Sequence, residues 1–414
     1  MVSRGRLLCG VVAVSSAVSD QRGSWHVVHG RLGLVLGRRQ PRGLEKRFRR
    51  GESAGYGVTM GWPADPESLL AGPRGRHVCW QLAAGRGWPA ETRLGPAWER
   101  VLFSSLGADP ADLASELAAA VDQADWHAVV ADMSDLDLVE PLAGSVTWAM
   151  YWQAPDEVDQ ALAHPEVAGT LRPVAHVLTG AAGARWWSSG TDADTQRYVE
   201  AMPGQAGGPP LSGAADRLAA WLTEEEEGER SAATWPADPA APYSGHWWSS
   251  PTWAGLAATT RALPGLGSLE IVAIEDWPGW AEVRCWPVTL HRPARICEIT
   301  SPDDWVALVT RYPLEVTQSR RHDWWRVTGW AGSWLMPDYA AAAADYEAIH
   351  LTVGGYLTTA GRALAVNDAR CLLAGWEPDK TYWLADVLTS GGPPVRWIQD
   401  DSVHLGWRQA GLGL

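Results

Sequence analysis

Glu377 and Asp379 stand one residue apart in the run Trp376-Glu377-Pro378-Asp379-Lys380. In an extended segment, side chains two positions apart project to the same side, so the pair would offer two carboxylates to one ligand. Carboxylates placed in this way can hold sugar hydroxyls and stabilise positive charge developing at an anomeric carbon. The alternative is a solvated turn, which Pro378 and Lys380 suit.

A second candidate is Gly245-His246-Trp247-Trp248-Ser249-Ser250-Pro251, whose Trp-Trp-Ser-Ser phrase also occurs at Trp186 to Ser189, 61 residues earlier. The rings could sandwich a planar group and the hydroxyls could hold a ribose or phosphate. Arg185, beside the first copy, could pair with a pyrophosphate. On a strand Trp247 and Ser249 would face one way, Trp248 and Ser250 the other. Equally, these tryptophans are core and Ser250-Pro251 turns the chain. The repeat is compatible with an internal duplication in which one copy is active.

Arg320-Arg321-His322-Asp323-Trp324-Trp325-Arg326 is the main basic and aromatic cluster of the body. It could receive a phosphate or an acidic partner, with rings stacking on a base. His350, on an alternating segment with Thr352, reads as a core histidine, and Tyr346 and Tyr356 read either way. The sequence contains no glycine-rich dinucleotide fingerprint, phosphate loop, His-Glu-x-x-His or nucleophile elbow. Cys9, Cys79, Cys285, Cys297 and Cys371 form no Cys-x-x-Cys pair and no metal-ligand spacing, so no metal is expected. Such scattered cysteines suit a reducing cytoplasm, each as a small buried hydrophobe.

The positions between these candidates set the frame. The chain has 27 tryptophans, of which only Trp25 precedes Met60. Residues 1–59 carry eleven basic and three acidic side chains, against 23 basic and 45 acidic in the remainder. The segment 1–59 reads as a basic stretch outside any domain, with the body starting at Met60; a targeting segment at Arg4 to Val14 and a basic arm are the competing accounts. The net charge of -14 disfavours nucleic acid or an anionic membrane as the main partner. No run of eighteen apolar residues marks a membrane span.

The patterning predicts an α+β fold, tryptophan-rich, with mixed or antiparallel sheets, short helices and two domains, 60–223 and 244–414. The acidic run Glu224 to Glu229 and Pro236, Pro239 and Pro242 make 224–243 the expected linker. Helices are expected from Asp109-Pro110 to about Ala124, over Pro155 to Ala163, around Leu218 and Leu222, and over Pro337 to Glu347. Ser301-Pro302-Asp303-Asp304 has the cap, first-turn proline and carboxylate of a further helix start. Strands are expected at 126–131, 145–152, 171–178, 269–274, 281–288, 295–299, 349–353, 372–374 and 381–385.

Residues 245–385 resemble, in order and phrasing, bacterial and phage proteins related to the mono-ADP-ribosyltransferases. The likeness rests on Gly245 to Pro251, the strand and capped helix at Arg295 to Tyr312, Asp345 to Ile349, and Gly375-Trp376-Glu377-Pro378-Asp379. It implies NAD as substrate, with Glu377 or Asp379 stabilising the oxocarbenium-like ribose as nicotinamide leaves. Ser249 and Ser250 would then support the nicotinamide-ribose, Trp247 or Trp248 would shape its pocket, and Arg295 or His246 would take the first-strand role. The family's Glu-x-Glu reads Glu-x-Asp here, and no Ser-Thr-Ser segment is present. The expected function is therefore ADP-ribose transfer from NAD to a macromolecular or small acceptor, or NAD hydrolysis. The alternative is a noncatalytic protein-binding or immunity-type module whose tryptophans are core and interface anchors.

Overall fold

The computed structural model describes residues 65–83, 110–122, 124–131, 133–201, 207–276 and 279–411. The basic segment 1–59 and the expected start at Met60 lie outside the described residues. The chain divides between Gly57 and Val58, and every described residue belongs to the unit 58–414. Its fold is α+β, with short helices, mixed sheets and clustered tryptophans.

The first half is helical: α1 (Pro66–Ala71), α2 (Pro73–Ala83), α3 (Pro110–Val121), α4 (Trp126–Ala131), α5 (Asp135–Thr147), α6 (Glu157–Ala163), α7 (Pro165–Thr170) and α8 (Arg172–Gly180). The strands expected at 126–131, 145–152 and 171–178 are thus α4, the end of α5 with the turn after it, and α8. Short apolar runs suit a buried helix as well as a strand; side-chain caps start α4, through Asp125, and α5, while α8 has none. Ser134 and Asp137 form a reciprocal capping box that starts α5. Asp156 accepts from the Asp159 N–H at 2.8 Å and starts α6.

The second half supplies the sheets. In chain order the strands are β1 (Gln196–Glu200), β2 (Ala258–Arg261), β3 (Glu282–Leu290), β4 (Ile296–Ile299), β5 (Pro313–Glu315), β6 (Trp334–Pro337), β7 (Ala348–Leu351), β8 (Leu364–Val366), β9 (Ala369–Cys371), β10 (Thr381–Trp383), β11 (Leu388–Ser390), β12 (Val395–Gln399) and β13 (Trp407–Gln409). The larger sheet runs β13-β12-β3-β1-β2-β10-β7-β4, with β11 joined to β3. Its pairs are antiparallel except β4 with β7. A smaller sheet runs β5-β6-β9-β8. The strand expected at 269–274 is instead a 3-10 turn at Leu269–Ile271, where the Thr260 hydroxyl accepts the Glu270 N–H at 3.1 Å. The segment 372–374 joins neither sheet, and Ala374 bonds to Ser249.

Helices α9 (Ala214–Ala232), α10 (Pro302–Arg311), α11 (Thr317–Thr328), α12 (Tyr339–Ala342) and α13 (Val353–Thr359) complete the α-helices among the described residues. The expected linker begins inside α9. Glu225 and Glu229, four apart and therefore on one face, both point at α11. Glu225 makes a buried ion pair with Arg320 at 2.8 Å, and Glu229 accepts the Gln318 and Ser319 N–H groups at 2.6 and 2.8 Å. A carboxylate at a helix N-terminus satisfies orphan donors and complements the helix dipole. The acidic run is therefore a helix face that holds another helix, and a linker would leave those groups without partners.

The basic cluster on α11 is likewise internal. Arg320, Arg321, His322 and Asp323 are buried. Arg321 donates to the Pro236 and Trp235 carbonyls at 2.9 and 2.8 Å, and Asp323 accepts from the Gly245 N–H and Ser244 hydroxyl, both at 2.8 Å. These side chains fasten the proline-containing segment 235–245 instead of facing an external phosphate.

Tryptophan fills the interior. Trp80, Trp187, Trp221, Trp305, Trp324, Trp334, Trp376 and Trp383 are fully buried. Trp376 meets Trp305 and Tyr382 edge-on at 6.1 and 4.9 Å between ring centres, the arrangement that ring quadrupoles favour. Its ring N–H reaches the Lys380 carbonyl at 3.0 Å, which meets the polar demand of a buried indole.

Candidate functional site

Strand register assembles a row of polar groups that no sequence neighbourhood contains. Glu298 on β4 lies opposite His350 on β7. His350 lies opposite Thr381 on β10, and Thr381 opposite Thr259 on β2. Residues directly opposite share a sheet face, as does Arg261, two positions beyond Thr259. The loop Gly375 to Lys380 enters β10 and adds Asp379 to the same face.

The contacts there are short and charged. His350 Nδ1 is 2.5 Å from Glu298 Oε2, and its Nε2 is 3.3 Å from Asp379 Oδ1. Asp379 also accepts the Arg261 backbone N–H at 2.8 Å and the Arg261 Nε–H at 2.6 Å. Arg261 lies over the Trp186 ring, 5.0 Å from its centre, and donates to the Gly190 carbonyl at 3.2 Å. Glu298 accepts the Thr191 N–H at 3.0 Å. Gly190 packs closely here, and a Cβ there would lie 2.8 Å from Glu298 Oε1, so the carboxylate would have to shift.

Burial alone would drive the His350 proton off, but hydrogen bonds to Asp379 and Glu298 outweigh it and push the pKa up to about 9. His350 is thus an imidazolium at neutral pH, with both nitrogens donating. Burial works against the Asp379 and Glu298 carboxylates, yet the His350 bond in both, with Arg261 beside Asp379 and Thr191 beside Glu298, holds them below the usual range. Asp379 is sealed in. The Glu298 side chain is 32% exposed; its strand also borders a cavity of about 370 Å³, with Cys297, Tyr312, Tyr346 and Arg311.

A second buried cluster adjoins this row. Lys380 lies 3.0 Å from Glu270 and 2.8 Å from Glu377. Burial opposes its charge, but the two carboxylates raise its pKa well above the ordinary value. Glu275 accepts the Gly375 N–H at 2.7 Å and the Tyr356 O–H at 3.0 Å. Burial, with the Glu377 charge nearby, raises its pKa well above the carboxylate range.

Glu377 and Asp379 therefore enter different clusters. The expectation of one shared face assumed an extended segment, whereas Asp379 has φ 60° in a turn, which ends the alternation. This left-handed backbone is tolerated by aspartate better than by most residues, and its side-chain bonds hold it there. Both acids are buried.

The Trp-Trp-Ser-Ser segments both adjoin these clusters, in different conformations. The first lies mostly in a 3-10 helix, Ala182–Ser188. The second is outside any helix or strand and packs along residues 374–375. Ser249 exchanges bonds with Ala374, its N–H donating at 2.8 Å and its hydroxyl accepting the Ala374 N–H at 3.0 Å. Ser250 donates to the Gly375 carbonyl. Gly375, at φ 68°, would place a Cβ 2.6 Å from that of Trp248. Ser249 and Ser250 are thus spent on backbone. Trp247 accepts the Trp324 ring N–H through its carbonyl at 2.7 Å, and Trp248 stacks on His246 at 4.8 Å. Arg295 lies apart, pairing with Glu347 at 3.8 Å near the start of β4.

His350, assigned to the core, is buried but charged and central. Glu298 and Arg261 carried no local motif; Glu298 lay in the strand expected at 295–299, whereas no strand was expected at 258–261, which became β2. Cys79, Cys285 and Cys371 are buried, and burial pushes the Cys297 thiol up to about 11. Among the described residues no group of three or more His, Cys, Asp or Glu is placed to hold a metal ion, and no helix is long and apolar enough to cross a membrane. No family model, curated protein or solved structure matches the chain.

Proposed function

We propose that the chain breaks an N-glycosidic bond of a nucleotide, with NAD as substrate and water or an acceptor nucleophile taking the ADP-ribose. The observation that supports this reading is Glu298, a 32% exposed carboxylate held below the usual range and backed by a buried imidazolium. Nicotinamide leaves as a neutral molecule with the bond electrons, so the demand on the protein is to stabilise positive charge at the ribose carbon. A fixed carboxylate does this without acting as a nucleophile. The His350-Asp379-Arg261 row keeps Glu298 oriented and charged. In this reading Glu298 touches substrate, while Asp379 is a positioning residue.

The test is nicotinamide release from NAD by the full chain, alone and with cell lysate as acceptor. Glu298→Gln should abolish release with the fold intact. Glu377→Gln, which changes only the Lys380 cluster, should retain it. Absence of both NAD binding and release, or full release by Glu298→Gln, would overturn the proposal.

A noncatalytic binding role is favoured by a different observation. Trp253 is 68% exposed and meets Trp248 edge-on at 5.8 Å, so the His246-Trp248 stack continues to the surface. Aromatic anchors of this kind are common at the centres of protein interfaces. This reading expects Trp253→Ala to abolish capture of a protein partner and expects no nicotinamide release.

A further inference from the structure

A second cavity, of about 430 Å³, lies between α2, α6, the C-terminal end of α11 and residues 361–370. It shares no lining residue with the cavity beside β4. Arg76, Arg362 and Arg370 line it, and among the described residues none of the three forms an ion pair. Their hydrogen bonds go to backbone carbonyls instead: Arg76 to Leu70 at 3.0 Å, Arg362 to Thr358 at 2.7 Å and Arg370 to Ala363 at 3.3 Å. The Arg76 Nε is buried without a partner.

The cavity's carboxylates form no direct ion pair with these arginines. Asp159 is paired with Arg74, and Asp156 caps α6. Burial, and then the charges of Arg74 and Arg362, lower the Arg76 pKa although Asp159 opposes them. Three guanidinium groups thus line one cavity with no direct ion pair among the described residues, although Asp159 and Asp303 act on Arg76 and Arg362 from nearby, in a chain whose net charge is -14. Arg370 is also fixed in plane, its guanidinium 4.2 Å from the centre of the Trp330 ring. Guanidinium groups so held suit the geometry of a phosphate. Trp148 and Tyr151 add aromatic surface to the same wall.

We propose that this cavity binds a small phosphorylated ligand bearing a planar ring, of mononucleotide size, with its phosphate on Arg362, Arg370 and Arg76 and its ring against Trp148. The volume falls in the range of small-molecule sites. The phosphate supplies a direct ion-pair partner for the guanidinium groups, and the half-buried indole supplies a stacking face.

Calorimetric titration of the full chain with AMP, adenosine and inorganic pyrophosphate tests this. AMP should bind, and adenosine should bind at least about tenfold more weakly, since it lacks the charge-assisted bonds. Arg362→Gln and Arg370→Gln should each weaken AMP by about tenfold or more, with circular dichroism and melting unchanged. If Arg370→Gln unfolds the chain, Arg362→Gln carries the test, because that side chain bonds only to the helix preceding it. Failure of AMP to bind, equal binding of adenosine and AMP, or undiminished binding by the folded Arg362→Gln protein would overturn the proposal. Pyrophosphate binding as tightly as AMP would overturn the role given to Trp148.

Discussion

His350 and Glu298 occupy matched positions on the parallel strands β7 and β4, and their side chains meet at 2.5 Å. The pair carries a consequence for stability. An imidazole whose pKa rises from 6.5 to about 9 on folding contributes stability that is fully present below 6.5 and lost as pH rises through 9. The loss should amount to about 3 kcal/mol, the worth of a shift of this size. Urea unfolding at a series of pH values should show the decline, and His350→Gln should flatten it.

Asp379 and Glu298 should separate structure from surface chemistry. Asp379→Asn takes the counter-charge from buried Arg261 and His350, and should cost about 3–5 kcal/mol in equilibrium unfolding. Glu298→Gln retains an acceptor for the Thr191 N–H and is partly solvated, so its cost should stay below about 2 kcal/mol.

The acidic run on α9 should respond by position. Glu225→Ala leaves Arg320 buried without its partner, an expected loss of about 3–5 kcal/mol. Glu226→Ala, on the exposed side of the same turn, should stay within about 0.5 kcal/mol. Denaturant midpoints of the two variants measure the contrast.

Glu275 should behave in the opposite sense to a paired surface acid. Its raised pKa means that burial penalises its charge, so stability falls as pH climbs out of the ordinary carboxylate range toward the folded pKa. Glu275→Gln can accept the Gly375 N–H with its carbonyl oxygen and donate its amide N–H to the Tyr356 oxygen, without carrying charge. Its melting temperature near neutral pH should match or exceed that of the parent chain, with a weaker dependence on pH, as scanning calorimetry would record.

What the sequence discloses follows the range of the interactions involved. The helix at 302–311 was legible because Ser301, Pro302 and Asp304 are its own start signal, and the Ser301 hydroxyl does accept the Asp304 N–H at 3.3 Å. The strands at 282–290 and 296–299 were legible from alternation. WHAVVA was not, since six apolar residues carry no period that separates helix from strand. At the site, the expected neighbours Glu377 and Asp379 diverge through one left-handed residue. His350, Glu298 and Arg261 converge from strands up to 89 residues apart, through a register that only the folded sheet defines.

The grip of α9 on α11 also governs how the body comes apart. Severing the chain between 223 and 244 would leave Arg320 without a counter-charge and the first amides of α11 without acceptors. Residues on either side of that segment are thus thermodynamically coupled and should unfold in one cooperative transition. Neither half would serve as a portable module, so expressing 244–414 alone should yield a partly folded, aggregation-prone fragment.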